Sequence, residues 1–219
     1  MIISHRHKFV CLNPPRTGTG YREITLKDVA DLNFPDIEEK LKSFAESNDF
    51  VNPKTFHGAM RHIYNRHANY EEMKKYFDGM GWNLKNYYKF TFIRNPIDRI
   101  ISFHNFHISE NGLDFDAHHF VKYADSLTMG KTSQDAYLSD DLNYVGKMEN
   151  MMDDLNAITK EIGCPLNLTE CKKDRDTHKD YDSQKWRDAL SERRAENIPY
   201  IEKFYEQESQ TFKLYDERG

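Results

Sequence analysis

The spacing of apolar positions changes several times along the chain, and each change marks an element. Residues 8 to 13 hold the run Phe9-Val10-Cys11-Leu12, which reads as a short buried strand. Residues 20 to 31 read as helix until Asn33-Phe34-Pro35 interrupts. Pro35 suits the first turn of a helix reaching about residue 47, with Ile37, Leu41 and Phe44 at helical spacing. Pro53 breaks the pattern again, and helices are expected over about 57 to 67 and over 70 to 79. Tyr87-Tyr88-Lys89-Phe90-Thr91-Phe92-Ile93 is a second strand, rich in aromatic and β-branched residues. Asn95 is a natural N-cap and Pro96 a natural first helical residue for a helix carrying Ile97, Ile100, Ile101 and His104. Further helices are expected over 115 to 124 and about 150 to 162, with a short strand at Tyr144-Val145-Gly146 between them. The last third is charged and mostly helical, anchored by Trp186, Leu190, Ile201, Phe204, Phe212 and Tyr215. Strands alternating with helices predict an α/β sandwich around a parallel sheet, with a ligand at the carboxyl ends of the strands.

Composition narrows this picture. A chain of 219 residues without repeats or low-complexity linkers is expected to form a single domain over 1–219. Only 38% of residues are hydrophobic, but 14 Phe and 13 Tyr supply the bulk of a core. The net charge of -5 argues against non-specific nucleic-acid binding, which needs a basic face. Cys11, Cys164 and Cys171 are too few for a disulfide framework; Cys164 and Cys171 have the option of pairing, and a reducing compartment fits equally well. No stretch approaches the ~20 apolar residues of a membrane span. The first strand follows so soon after Met1 that no signal peptide fits, so a cytoplasmic protein without a membrane partner is expected.

Two strand-to-helix turns carry the candidate chemistry. The first is Pro14-Pro15-Arg16-Thr17-Gly18-Thr19-Gly20. Such a turn presents backbone N–H groups and the positive end of a helix to an anion. Gly18 and Gly20 allow close approach, Thr17 and Thr19 carry hydroxyls, and Arg16 adds a cationic fork. The Walker pattern is absent: in Gly130-Lys131-Thr132 the required upstream glycine is replaced by Asp125. The second turn is Arg94-Asn95-Pro96, with Ser102 two helical turns further on. Arg94 and Ser102 suit one phosphate, whereas Arg99 fits a structural role better. Together the two turns suit a nucleotide phosphorylated at both ends.

These motifs give the chain a resemblance to the PAPS-dependent sulfotransferases, and to their carbohydrate-type branch, which includes soluble bacterial and viral members. Pro15-Arg16-Thr17-Gly18-Thr19-Gly20 resembles the family's 5′-phosphosulfate loop. Arg94, Asn95, Pro96, Arg99 and Ser102 match its 3′-phosphate motif R-[ND]-P-x-x-R-x-x-S in full. Residues 143 to 150 are similar to its later "IGRFEN" segment, and Phe204-Tyr205, Glu208, Phe212 and Tyr215 resemble its terminal helix. The resemblance implies a P-loop-like three-layer fold and sulfuryl transfer from 3′-phosphoadenosine 5′-phosphosulfate (PAPS), with 3′,5′-ADP as product, no obligatory metal, and an acceptor hydroxyl or amine, most readily of a carbohydrate. It assigns Arg16, Thr17, Gly18, Thr19 and Gly20 to the phosphosulfate and Arg94 and Ser102 to the 3′-phosphate. Arg16 stands where Lys is commonest; it neutralises leaving-group charge but gives up no proton near neutral pH. Gly20 stands where a hydroxyl residue is usual.

A base must accept the acceptor's proton. His57, in Phe56-His57-Gly58-Ala59 between the two turns, is the favoured candidate from the family context, with His62 and His67 as lesser options. The ten histidines show no metal-ligand spacing of the H-E-x-x-H kind, so packing or surface roles suit the others better. Lys54, Arg61 and Arg66 have the option of lining a groove for an anionic acceptor. Two other classes remain open: an ATP-dependent kinase-like transferase, and a non-catalytic nucleotide-binding module on the same fold. Oligomeric state leaves no trace in the sequence.

Overall fold

The computed structural model describes residues 1–31, 66–128, 132–164, 183–192 and 194–216. The helix expected over about 35 to 47 lies outside them, as does nearly all of that expected over 57 to 67, whose last two positions form a turn. The chain divides into two units, Met1–Phe92 with Ser139–Cys171 and Ile93–Leu138 with Lys172–Gly219. Among the described residues no helix is long and apolar enough to cross a membrane.

The first unit is a four-stranded sheet with helices. Its strands are β1 (Ile2–Ser4), β2 (Phe9–Leu12), β3 (Tyr88–Ile93, whose last residue begins the second unit) and β4 (Tyr144–Lys147), in the order β1-β2-β3-β4. β2 and β3 run parallel, with Cys11 opposite Phe90. The sheet is not wholly parallel, as the sequence pattern suggested, because β1 pairs antiparallel with β2. The cause is a tight return at residues 5 to 8. Lys8 takes φ +53, and the Asp31 carboxylate accepts the backbone N–H groups of His5 and Arg6. A three-residue strand has too few positions to show a period of two.

Helix α1 (Thr19–Leu26) follows β2, and α2 (Tyr70–Gly79) precedes β3. The second of these starts where expected because Asn69 and Glu72 form a reciprocal capping box. One core gathers Phe9 and Cys11 from β2, Phe90 and Phe92 from β3, Leu26 of α1, and Met151, Leu155 and Ile158. The last three lie on the helix Met151–Glu161 that follows β4. Each fully buried side chain of this size contributes about 1.5–3 kcal/mol. Val10 and Leu12, on the other face of β2, are equally buried, so the sheet is covered on both sides.

The second unit is helical. It comprises α3 (Pro96–Asn111), α4 (Ala117–Thr128), and, beyond the Met151–Glu161 helix of the first unit (α5), α6 (Gln184–Ser191), α7 (Ile198–Gln207) and α8 (Ser209–Asp216). Ile100, Ile101, Phe120, Trp186, Leu190, Ile201 and Phe204 form its core. The α4 helix begins two residues later than the apolar pattern indicates because Asp116 takes its N-terminal N–H groups, Oδ1 accepting from His119 and the backbone oxygen from Phe120.

Candidate active site

The turn after β2 is shaped by two left-handed residues. Arg16 takes φ +63 and Gly18 φ +80. Only glycine takes the second value without strain, and a Cβ there would also meet the Met151 Cε at 2.5 Å. The α1 helix begins with no side-chain cap and no acidic residue in its first turn. The leading N–H groups of a helix that starts this way suit an anion. Gly20 is exposed, and a Cβ added there meets nothing within 4 Å.

The two threonine hydroxyls face inward. Thr17 Oγ1 donates to the Pro14 carbonyl at 2.7 Å and Thr19 Oγ1 to the same oxygen at 3.2 Å. Behind them lies Arg22, 0% exposed. Its Nε donates to Asn13 Oδ1 at 3.0 Å, one Nη to the Thr17 carbonyl, and the other to Thr17 Oγ1 at 3.0 Å, with a longer approach of 3.5 Å to Thr19 Oγ1. The guanidinium also lies over the Phe92 ring, 5.0 Å from its centroid. A guanidinium only donates, so the Asn13 oxygen must face it. That leaves Asn13 Nδ2 buried and without a hydrogen-bond acceptor among the described residues. Burial pushes the neighbouring Cys11 thiol up to about 11, so it adds no negative charge at neutral pH. The floor of the turn is thus rich in donors and positive.

His67 sits against the same strand end. Its Nδ1 lies 2.7 Å from the Asn13 carbonyl oxygen, which can only accept, so Nδ1 carries the proton and Nε2 the lone pair. Desolvation lowers its pKa to about 4, which keeps the ring neutral near pH 7. Arg66 is about one-third exposed, at 35%. It grips the buried Glu23 carboxylate through Nε and Nη2. His57, His62, Lys54 and Arg61 lie outside the described residues.

In the second unit, Arg94 and Asn95 lead the chain into α3. Asn95 Oδ1 accepts from the N–H groups of Ile97 and Asp98, and Pro96 opens the helix. The side-chain amide of Gln134 clamps the Arg94 backbone from both sides. Its Oε1 accepts from Arg94 N at 2.8 Å and its Nε2 donates to the Arg94 carbonyl at 3.0 Å. Glu208 holds Gln134 in turn, accepting from its backbone N–H and from Nε2, both at 3.1 Å. The same carboxylate takes Arg99 Nη2 at 2.6 Å, with both side chains 0% exposed. Arg99 is therefore a structural cation, whereas Arg94, Asn95 and Ser102 of the motif are half-buried. Glu208 stands at the break between α7 and α8, where Tyr205 and Phe212 stack at 4.9 Å.

The segment around β4 has a packing role. Gly146 lies so close to Phe92 that a Cβ would meet its Cε1 at 2.5 Å. Asp154 accepts from the Tyr144 hydroxyl at 2.8 Å and from Lys147 N at 2.7 Å. Among the described residues no three His, Cys, Asp or Glu side chains form a metal-ligand set.

Arg22, Asn13 and Gln134 were not singled out from the sequence. For Arg22 a signal existed: the buried stripe of α1 is Thr19, Arg22, Glu23 and Leu26, so two charged residues occupy core positions of an amphipathic helix. For Gln134 there was none, because its partners lie 40 and 74 residues away.

An α/β unit that leads a strand through a left-handed turn into an uncapped helix, over a buried cation, is a frame for binding an anionic group. The sequence profile of the Sulfotransferase family matches residues 1–140, and the chain belongs to that family. Sulfuryl transfer is thus its general chemistry. No curated protein and no solved structure matches the chain.

Proposed function

We propose that the protein transfers a sulfuryl group from PAPS to a hydroxyl of a carbohydrate, releasing 3′,5′-ADP. One observation carries the reading. The family match over residues 1–140 spans both strand-to-helix turns, each with an arginine at the entrance to a helix. The residues fit the donor's anionic 5′ end, because the turn after β2 offers uncapped helix N–H groups above a floor that has more donors than acceptors. The fold reading that goes with it is P-loop-like and three-layered, and the setting is cytoplasmic, with neither nucleic acid nor membrane as partner.

Bound PAPS supplies a sulfuryl group on a phosphate leaving group. Backbone N–H groups of Thr17 to Gly20 hold the 5′-phosphosulfate, while the Thr17 and Thr19 hydroxyls hold the turn in shape. Arg16 neutralises the charge that grows on the departing phosphate, and Arg94 and Ser102 hold the 3′-phosphate. His57 accepts the proton of the acceptor hydroxyl as that oxygen bonds to sulfur and the sulfur–oxygen bond to phosphate breaks. No metal enters this step. His67 is the second candidate for the base, favoured by its fixed tautomer and neutral ring.

Calorimetric titration with 3′,5′-ADP, against 5′-AMP, tests the donor. Tight binding that is lost without the 3′-phosphate and in Arg94→Ala supports it; equal binding of the two nucleotides, or tighter binding of ATP, overturns it. Turnover then separates the bases. The variant that lowers kcat while leaving 3′,5′-ADP affinity intact, His57→Ala or His67→Ala, identifies the group, and wild-type kcat in His57→Ala removes His57 from the mechanism.

A further inference from the structure

Arg22 is a fully buried cation of the first unit whose described hydrogen bonds to oxygen go only to neutral groups, with the Glu23 carboxylate acting on it through space. The contrast with its neighbours is direct. Arg66 binds Glu23 with both arms of its guanidinium, so the acid next to Arg22 in sequence is already engaged. Of the nearby groups that titrate, Cys11 and His67 are uncharged near neutral pH, and the Glu23 carboxylate is held by Arg66. Every oxygen that Arg22 touches is neutral: an amide, a carbonyl and two hydroxyls. Burying a charge without a hydrogen-bonded opposite charge is costly. All four contacts lead to the turn. Two go to Thr17, one to Thr19 and one to Asn13, the residue that ends the strand and whose own Nδ2 has no acceptor.

We infer that Arg22 is a positioning residue of the donor site: through Thr17, Thr19 and Asn13 it fixes the turn after β2, and the 5′ anion of the donor adds to the negative charge that Glu23 provides. This rests on the donor reading given above. The guanidinium acts from beneath, so it adds to the charge of Arg16 without occupying the surface that the anion covers. Because its fork points into the turn, Arg22 also explains why Arg16 and Gly18 can hold left-handed backbone there. The Thr17 carbonyl between them is pinned by one Nη.

The test measures what the 5′-phosphate is worth. Wild type, Arg22→Gln and Arg22→Lys are titrated with 3′,5′-ADP and with adenosine 3′-phosphate, and the ratio of the two affinities is compared. In Arg22→Gln the ratio is expected to fall about tenfold to a hundredfold, the usual worth of a charge-assisted contact, while adenosine 3′-phosphate binds as before. Arg22→Lys keeps the charge without the fork and is expected to recover part of the ratio. An unchanged ratio in Arg22→Gln, or equal weakening of both nucleotides, overturns the inference. Should Arg22→Gln not fold, Thr17→Val removes the hydroxyl partner and leaves the guanidinium; a ratio unchanged there overturns the inference equally. Failure of the donor reading shows separately, in wild type alone, as 3′,5′-ADP binding no tighter than 5′-AMP.

Discussion

Replacing Glu208 by Gln removes one negative charge from the core of the second unit and almost no volume. The carboxylate takes Arg99 Nη2 at 2.6 Å and two N–H groups of Gln134 at 3.1 Å, and neither Glu208 nor Arg99 reaches solvent. Arg99 has few other resources. Nη1 donates to the Thr132 carbonyl at 3.1 Å, and Nε has no hydrogen-bond partner among the described residues. An amide in place of the carboxylate leaves a buried guanidinium facing a neutral group, which typically costs about 3–5 kcal/mol. That is a large share of a domain's usual stability of about 5–15 kcal/mol. With a urea m-value of about 2 kcal/mol/M, the midpoint is expected to drop by about 1.5–2.5 M.

Trp186, fully buried in the same core, reports the transition by fluorescence. The double variant Arg99→Met/Glu208→Leu is expected to be more stable than Glu208→Gln, because no unpaired charge remains. A loss below about 1 kcal/mol in Glu208→Gln, the worth of one ordinary hydrogen bond, would refute the reasoning. So would a double variant less stable than either single change.

Three further outcomes follow from the geometry. Gly20→Ser adds a Cβ in open space and removes a glycine from the first turn of α1, so melting is expected to rise by the equivalent of about 0.5–1 kcal/mol, with 3′,5′-ADP bound at least as tightly; a fall in both contradicts the open geometry. Gly146→Ala drives a methyl group into the Phe92 ring, and a loss of about 1–3 kcal/mol in urea unfolding is expected; a neutral result shows that the ring can yield. His104 is buried, takes a hydrogen bond from Trp186 Nε1 at 3.0 Å, and faces His107, His119, Asp116 and Lys185; desolvation lowers its pKa from 6.5 to about 4. The unfolded chain binds that proton first, so stability is expected to fall as pH drops from about 6.5 towards 4, by at most about 3 kcal/mol, and a slope unchanged in His104→Gln rules this source out.

How much of this was legible depends on how far apart the interacting residues lie. The β2 and β3 strands announced themselves as apolar runs, and α3 as an Asn-Pro start, because those signals are local. The β1 strand did not, since three residues show no period and its return depends on Asp31, which lies beyond the end of α1. The structural role of Arg99 was foreseen, but its partner Glu208 was readable only as part of a terminal pattern, 109 residues away. The inward turn of the Thr17 and Thr19 hydroxyls was not readable at all. A Gly/Thr turn specifies which groups are present and leaves open whether Pro14 or a ligand receives them.

The arginines show what a motif omits. Arg66, Arg99 and Arg22 are of one residue type and lie in or near the two candidate turns, yet they differ in what balances their charge. Arg66 has Glu23, Arg99 has Glu208, and Arg22 has neutral oxygens. A paired cation in a core is an element of the fold, and its loss is read as stability. A buried cation hydrogen-bonded only to neutral groups among the described residues gains less from the fold than a paired one, which suits a further negative charge that arrives with the ligand. Neutralising Arg99 is therefore expected to lower the unfolding midpoint, whereas neutralising Arg22 is expected to lower what the donor's 5′-phosphate contributes to binding. A result in which both substitutions changed only stability would place Arg22 with the structural cations and leave Arg16 as the sole arginine acting on the 5′ end.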